Sequence, residues 1–299
     1  MSRNILRYPD EWMRPLIRTV LGRCYRLVSA PPLPEDDVEI APGITIPRYA
    51  VTDAEAKRAE SEKFLDRLPC ELDVRGKSVL EVGCGAGELC MELARRGATR
   101  VLGVELGDVV KLAQSRLAGE TGLAVEFRAY GGDLHELGDE HFDVIVSKDS
   151  FEHYGAIPGS PSAEQMTHDM GERLVEGGLL VIGFGPLWKA PFGGHLDARR
   201  MPWAHLVFPE EVIFDEFRRV RPPGNTSRTF EEGPLVNRMT LKRFRRITGS
   251  SGLELVGMET NVTEHPFAGV MRTLARLSAF EEYCTQNVYG VWRRPLGWT

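Results

Sequence analysis

The sequence predicts an α/β fold of the doubly wound class, and three observations carry that prediction. Short apolar runs alternate with segments of helical period from Ser78 onward. A glycine-rich turn joins the first run to the first helix, and acidic residues stand at or just beyond the ends of three successive runs. Strands separated by helix-length segments imply a mostly parallel sheet with helices on both faces.

Before that pattern begins, Met13, Leu16, Ile17, Val20, Leu21 and Cys24 recur at helical spacing, with Arg14, Arg18, Arg23 and Arg26 on other faces. This is a basic amphipathic helix, expected to pack as a cover over the cleft, with rest on an anionic membrane as the alternative. Pro31-Pro32-Leu33-Pro34 reads as an extended linker. A second helix is expected from Thr52 to about Leu68, capped by Thr52 or Asp53. Strands are then expected at Ser78–Val82, Arg100–Val104, Ala124–Arg128, Phe142–Ser147 and Leu179–Phe184. Helices fall between them at Glu88–Arg96 with Gly97 as its stop, from Asp108 to about Ala118, and near Ala163–Val175.

After Phe184 the rhythm fails for about fifty residues, a length at which a loop in a compact domain is either functional or unstructured. Trp188, Phe192, Trp203 and Phe208 argue for order, so residues 185–233 are expected to form an insertion after the fifth strand. A capped helix near Thr240 and strands at Leu253–Thr260 and Gln286–Trp292 complete seven strands. The organisation expected is an N-terminal helical extension over residues 1–74 and one domain over residues 75–299.

The formal net charge is -6, so no overall positive field draws the chain to nucleic acid, and a small or neutral partner is favoured. The five cysteines are odd in number, without a C-x-x-C pair or zinc-site spacing. No run of about 18 apolar residues occurs. A cytoplasmic protein without stable membrane association is expected, and the oligomeric state stays open.

The glycine turn Gly83-Cys84-Gly85-Ala86-Gly87 brings a ligand close to the backbone at a helix N-terminus. A dinucleotide fingerprint wants a small third residue where this chain has Glu88. Glu81, at the end of the preceding strand, would repel a pyrophosphate and stabilise a sulfonium ligand bearing an ammonium group. Glu105 ends the second strand about 20 residues after Gly83, where a carboxylate accepts ribose hydroxyls. Asp133, in Gly131-Gly132-Asp133-Leu134, is placed to accept from an adenine amino group while Leu134 covers the ring.

Residues 75–185 resemble the class I methyltransferases, particularly the branch of quinone-biosynthesis O-methyltransferases and natural-product methyltransferases. The resemblance rests on E-V-G-C-G-A-G at Glu81–Gly87, Glu105, G-D at Gly132-Asp133, and F-D-V-I-V-S with D-S-F-E-H across Phe142–His153. It implies a seven-stranded sheet with an antiparallel last strand. It also implies S-adenosylmethionine as methyl donor, leaving S-adenosylhomocysteine, with Cys84, Leu106 and Lys148 beside the residues above as cofactor contacts.

Methyl transfer to a hydroxyl benefits from a base with a pKa near neutrality, which points to histidine. His153, just past the fourth strand, is the first candidate for base or acceptor-positioning residue. Asp149 on the same loop is a second, and His195 and His205 in the insertion are further ones. The alternative for each histidine is a structural hydrogen bond. A metal site built from His153, His195 and His205 is chemically conceivable, but spacing does not show that they converge, and none is expected. Trp188, Phe192 and Trp203 are read either as an apolar acceptor pocket or as the insertion's own core. The expectation is a small-molecule O-methyltransferase. The alternatives are a nucleic-acid or protein methyltransferase, disfavoured because Lys148-Asp149-Ser150-Phe151 lacks an Asn/Asp-Pro-Pro-aromatic run, and a non-methylating enzyme that binds the same cofactor.

Overall fold

A computed structural model of the chain describes residues 14–28, 37–41, 44–47, 54–120, 122–156, 160–194, 201–213, 215, 236–262 and 267–298. Helix α1 (Arg14–Val28) is followed by a hairpin of β1 (Asp37–Ala41) and β2 (Ile44–Pro47), then α2 (Ala54–Asp66). The main sheet starts with β3 (Ser78–Val82), α3 (Glu88–Arg95), β4 (Arg100–Leu106), α4 (Val110–Leu117) and β5 (Val125–Tyr130). It continues with β6 (Phe142–Lys148), α5 (Ala163–Glu172) and β7 (Leu174–Phe184). After a long excursion containing α6 (Ala204–Val207) come α7 (Leu241–Ser250), β8 (Glu254–Thr260), α8 (Ala268–Ala275), α9 (Glu281–Cys284) and β9 (Val288–Arg293).

The seven-stranded sheet runs β5-β4-β3-β6-β7-β9-β8. Pairings from β5 through β7 are parallel, and β9 pairs antiparallel with both β7 and β8. From β3 the chain winds outward to β4 and β5, then returns to place β6 on the other side of β3. The order reverses there, and a crevice opens beyond the carboxyl ends of the strands at such a point.

Local chemistry explains most boundaries. Leu89, Cys90 and Leu93 of α3 are buried one helical face apart. Ser162 Oγ caps α5 by accepting the Gln165 amide at 3.1 Å, and Thr240 Oγ1 caps α7 by accepting the Arg243 amide at 3.2 Å, each such cap contributing about 1 kcal/mol. Along β3, Leu80 and Val82 enter the core on one sheet face while Val79 enters the other, as the pleat requires. The first face is sealed by Phe151, Phe184 and Phe244, whose rings lie 5.3 Å apart pairwise. The second is sealed by Phe64 and Leu65 of α2, by Leu68 just beyond it, and by α3.

Several boundaries differ from the sequence-based expectation. Helix α5 ends at Glu172, and β7 begins as early as Leu174, pairing with Phe142 across an irregularity. The hairpin, α8 and α9 were not predicted. The expected cover also differs: α1 packs Tyr25 into a small core with Ala204, Phe208, Val212 and Ile213 of the excursion. Arg18 of α1 reinforces this through ion pairs to Asp215 and Glu211. Of the two helices described ahead of the main sheet, α2 is the one that lines the cleft.

Candidate active site

The crevice at the switch point is a cleft of about 540 Å³, and its floor is the turn after β3. Two glycines there are required by packing. Gly83 has φ 78°, and a Cβ on it would lie 2.1 Å from Ser150 Oγ; Gly87 has φ 84°, and a Cβ would lie 2.4 Å from the Phe127 ring. Any side chain at either position clashes and strains the backbone. Glu105, at the end of β4, spans the turn: its Oε2 accepts the Gly85 amide and its Oε1 accepts the Leu106 amide, both at 2.8 Å. Burial pushes its pKa up, and these two amides pull against that shift.

Glu81 lies under the turn, 2 % exposed, with its Oε2 accepting the Cys90 thiol at 2.9 Å. Burial raises its pKa to about 7, against the Cys90 hydrogen bond and the Lys148 charge. Lys148 ends β6 across the cleft, its Nζ 3.1 Å from Asp149 Oδ2. Burial alone would lower the Lys148 pKa, but Asp149, Glu81 and Glu60 outweigh it, and the ammonium is held above its usual value. Asp149 sits at φ 49°, a left-handed conformation that Asp tolerates better than most residues. Its amide donates to Gly183 O at 2.8 Å.

The loop that follows carries His153 into the same cleft. Three hydrogen bonds from one residue beyond the excursion hold it: the Asn237 amide donates to Glu152 O at 2.7 Å, and Asn237 Nδ2 donates to Phe151 O at 2.8 Å and Tyr154 O at 3.0 Å. Glu152 is 4 % exposed, and burial raises its pKa to about 8, with Asp149 adding to the shift.

Of the predicted residues, Glu81, Gly83, Cys84, Gly85, Glu105, Leu106, Gly132, Lys148, Asp149 and His153 line one cleft. Gly87 stands just behind it as the α3 N-cap. Asp133 and Leu134 do not line it. Asp133 Oδ1 instead accepts the His135 amide at 2.8 Å, capping a 3₁₀ turn, and Leu134 is wholly buried in the core. A hydrogen bond to the next turn satisfies Asp133 locally, and the strand-end pattern could not distinguish that role from ligand contact.

His205 is also away from the cleft. It is buried against Trp188, shares a 2.6 Å hydrogen bond with Trp188 O, and has its pKa lowered by burial. His195 lies outside the described residues. Trp188, Phe192 and Trp203 do not line the cleft either. Trp188 packs edge-on to His205 and under Arg238, and Trp203 Nε1 donates to Tyr283 O at 3.1 Å.

Sequence reading missed Lys57 and Ser61, which α2 presents to the cleft. Their spacing of one helical turn was the available signal. Tyr130, Ser160, Pro161 and Met166 also line it without having been predicted. The chemistry of the lining fits S-adenosylmethionine: the Glu105 carboxylate would accept ribose hydroxyls, the Glu81 and Lys148 side chains would suit a zwitterionic amino acid, and space is open above Gly85, where a Cβ would meet nothing within 4 Å.

Residues 79–178 match the family model described as a methyltransferase domain. The chain is 36% identical over 99 residues to the ubiquinone biosynthesis O-methyltransferase of Pseudomonas syringae pv. tomato, covering 33% of this chain and 41% of that protein. It is 42% identical over 91 residues to the protein of the same name from Hahella chejuensis, covering 30% and 37%. To ribosomal RNA small subunit methyltransferase C of Chromohalobacter salexigens it is 33% identical over 162 residues, covering 54% and 44%. The matched stretches thus span less than half the length of these relatives. Among solved structures, an S-adenosylmethionine dependent methyltransferase from Mesorhizobium loti superposes with TM-score 0.50 at 15% identity, covering 82% of this chain and 100% of that one, which shows the shared fold. Residues 79–178 are thus a methyltransferase domain, and the chain resembles the class I enzymes that use S-adenosylmethionine.

Proposed function

We propose that the protein methylates a hydroxyl of a small-molecule acceptor in a biosynthetic pathway. The observation that carries this reading is the convergence of Glu105, Lys148 and His153, from three separate chain segments, on one cleft. When bound, S-adenosylmethionine supplies an electrophilic methyl group and departs as S-adenosylhomocysteine. Glu105 binds the ribose hydroxyls, while Glu81 and Lys148 hold the ammonium and carboxylate ends of the amino acid. His153 accepts the hydroxyl proton as the new bond to carbon forms. Helix α2, through Lys57 and Ser61, screens that side of the cleft from water.

The cleft carries Glu81, Glu88, Glu105 and Asp149 against Lys57 and Lys148, a balance that repels a phosphodiester chain and favours a small acceptor over RNA. The likeness to the ubiquinone biosynthesis O-methyltransferases supports oxygen as the methylated atom. The likeness to the ribosomal RNA enzyme supports a second reading, an RNA acceptor, and the same assay separates the two. Release of S-adenosylhomocysteine is measured with a small-metabolite extract and with ribosomal RNA. Turnover with the extract that His153→Ala lowers by about 10²–10⁴, at unchanged cofactor affinity, is the expected result. Turnover with RNA alone would overturn the small-molecule reading.

A further inference from the structure

Helix α8 lies on the surface. Ala268 is its one buried residue and Cys284 the one buried residue of α9, whereas Phe267, Val270, Leu274, Leu277, Phe280 and Tyr283 are between 36 % and 66 % exposed. The Leu277 amide donates to Leu274 O at 3.0 Å, the Phe280 amide to Leu277 O at 2.8 Å and the Tyr283 amide to Phe280 O at 3.0 Å, so successive turns join the two helices. A spacing of three or four residues then places the six side chains in one stripe. Large apolar side chains present roughly 150–250 Å² each when bare, so these exposures amount to about 600 Å² per molecule. Scattered exposed apolar residues need no explanation, but a contiguous patch of that size marks a contact surface.

The stripe is basic at one end and acidic at the other. Arg272 and Arg276 on α8 are exposed and form no ion pair among the described residues. On α9, Glu281 meets Arg245 at 2.7 Å and Glu282 meets Lys189 at 3.4 Å. Such surface pairs are weak and leave lone pairs on each carboxylate that accept from a second cation. Leu277 stands midway, with Arg272 five residues before it and Glu282 five after, and with Leu274 and Phe280 three to either side. A two-fold axis at Leu277 therefore lays the α8 arginines of one molecule against Glu281 and Glu282 of another, and Leu274 against Phe280. The stripe is complementary to itself.

We infer that the α8–α9 stripe is the interface of a symmetric homodimer, with the two copies antiparallel along it. The apolar patch and its flanking charges together approach the ~800 Å² per partner of a standard specific interface. Apolar contact supplies the attraction, and the end-to-end charge pattern sets the register. A bilayer is the poorer occupant, because acidic headgroups would meet Glu281 and Glu282, and neutral ones would leave the arginines unpaired. Neither α8 nor α9 contributes to the cleft lining, so both cofactor clefts of the dimer stay open. Dimerisation is thus independent of which acceptor is methylated.

The test is sedimentation velocity of the full chain over a series of concentrations, where a concentration-dependent dimer is expected. Leu277→Glu places two like charges at the axis and should weaken association about a hundredfold or more. Arg272→Glu should weaken it about tenfold. Combining Arg272→Glu with Glu281→Lys exchanges the charges of the two ends and should restore association toward the wild-type value. Arg272 and Leu277 are exposed, so circular dichroism and calorimetric S-adenosylmethionine binding should match wild type in both single variants, which keeps this test separate from the methyltransferase reading. A monomer at every concentration, a dimer that Leu277→Glu leaves intact, a double variant that associates no better than Arg272→Glu, or a monomer that floats with phosphatidylglycerol vesicles would each overturn the proposal.

Discussion

The Glu105 carboxylate accepts the Gly85 amide at 2.8 Å, so the acid at the end of β4 holds the glycine turn at the end of β3. One side chain thus fixes the floor of the cleft and lines it. Glu105→Gln replaces a charged acceptor by a neutral one and should weaken S-adenosylmethionine binding about tenfold, and Glu105→Ala by more, because the turn also loses its anchor. Isothermal calorimetry measures both. Wild-type affinity in Glu105→Ala would remove Glu105 from the ribose site.

Glu81 ties cofactor binding to pH. Burial raises its pKa to about 7 in the free protein, and the cofactor's ammonium group favours the ionised form. Affinity should therefore rise with pH up to about 7 and level off above it. Binding at pH 6–7 should release a proton, seen as a dependence of the binding enthalpy on the buffer's ionisation enthalpy. A flat profile without proton release would mean that the ammonium group lies elsewhere.

Glu81 and Glu152 also make the free protein's stability pH-dependent. Both pKa values are raised, from 4.5 to about 7 and about 8, so between 4.5 and 8 the folded chain holds protons that the unfolded chain has released. Stability is largest below that window and falls as pH rises through it. Each carboxyl group that keeps its proton only in the folded chain contributes a fall of about 1.4 kcal/mol for every step of one in pH. Glu152→Gln should flatten the part of this slope nearest pH 8 and raise the melting temperature at pH 9, measured by calorimetric unfolding. An unchanged slope would show that Glu152 is ionised in the folded protein.

Asn237 holds the Phe151–Tyr154 loop by three hydrogen bonds. Asn237→Ala removes the two bonds that Nδ2 donates and keeps the main-chain one, so it should cost about 1–3 kcal/mol locally and displace His153. Turnover is expected to fall by about tenfold or more while calorimetric cofactor affinity stays at the wild-type value, because the donor side of the cleft does not touch Asn237. Equal loss of affinity and turnover would indicate general unfolding of the cleft.

The donor half of the site was legible because its determinants are local. Strand β3, the turn and α3 lie within Ser78–Arg95, and apolar alternation, glycine spacing and helix period are properties of neighbours along the chain. The same rule picked out the strand-end acids, of which Glu81 and Glu105 line the cleft. Asp133 does not line it and caps a 3₁₀ turn, a role that places the same residue type at the same strand end. The topology itself followed from alternation and from the family resemblance.

The acceptor half was decided by tertiary structure. Asn237 meets Phe151 across 86 positions of sequence, Lys57 and Ser61 enter the cleft from a helix that precedes the sheet, and His205 turns toward Trp188 although its neighbours promised a pocket. Such encounters depend on where the crossovers of the sheet bring distant segments together, and no short-range pattern encodes that. The sequence by itself determined the glycine turn that floors the cleft. Folding decided which residues stand opposite it, because side chains converge there only after β6 has come to lie beside β3.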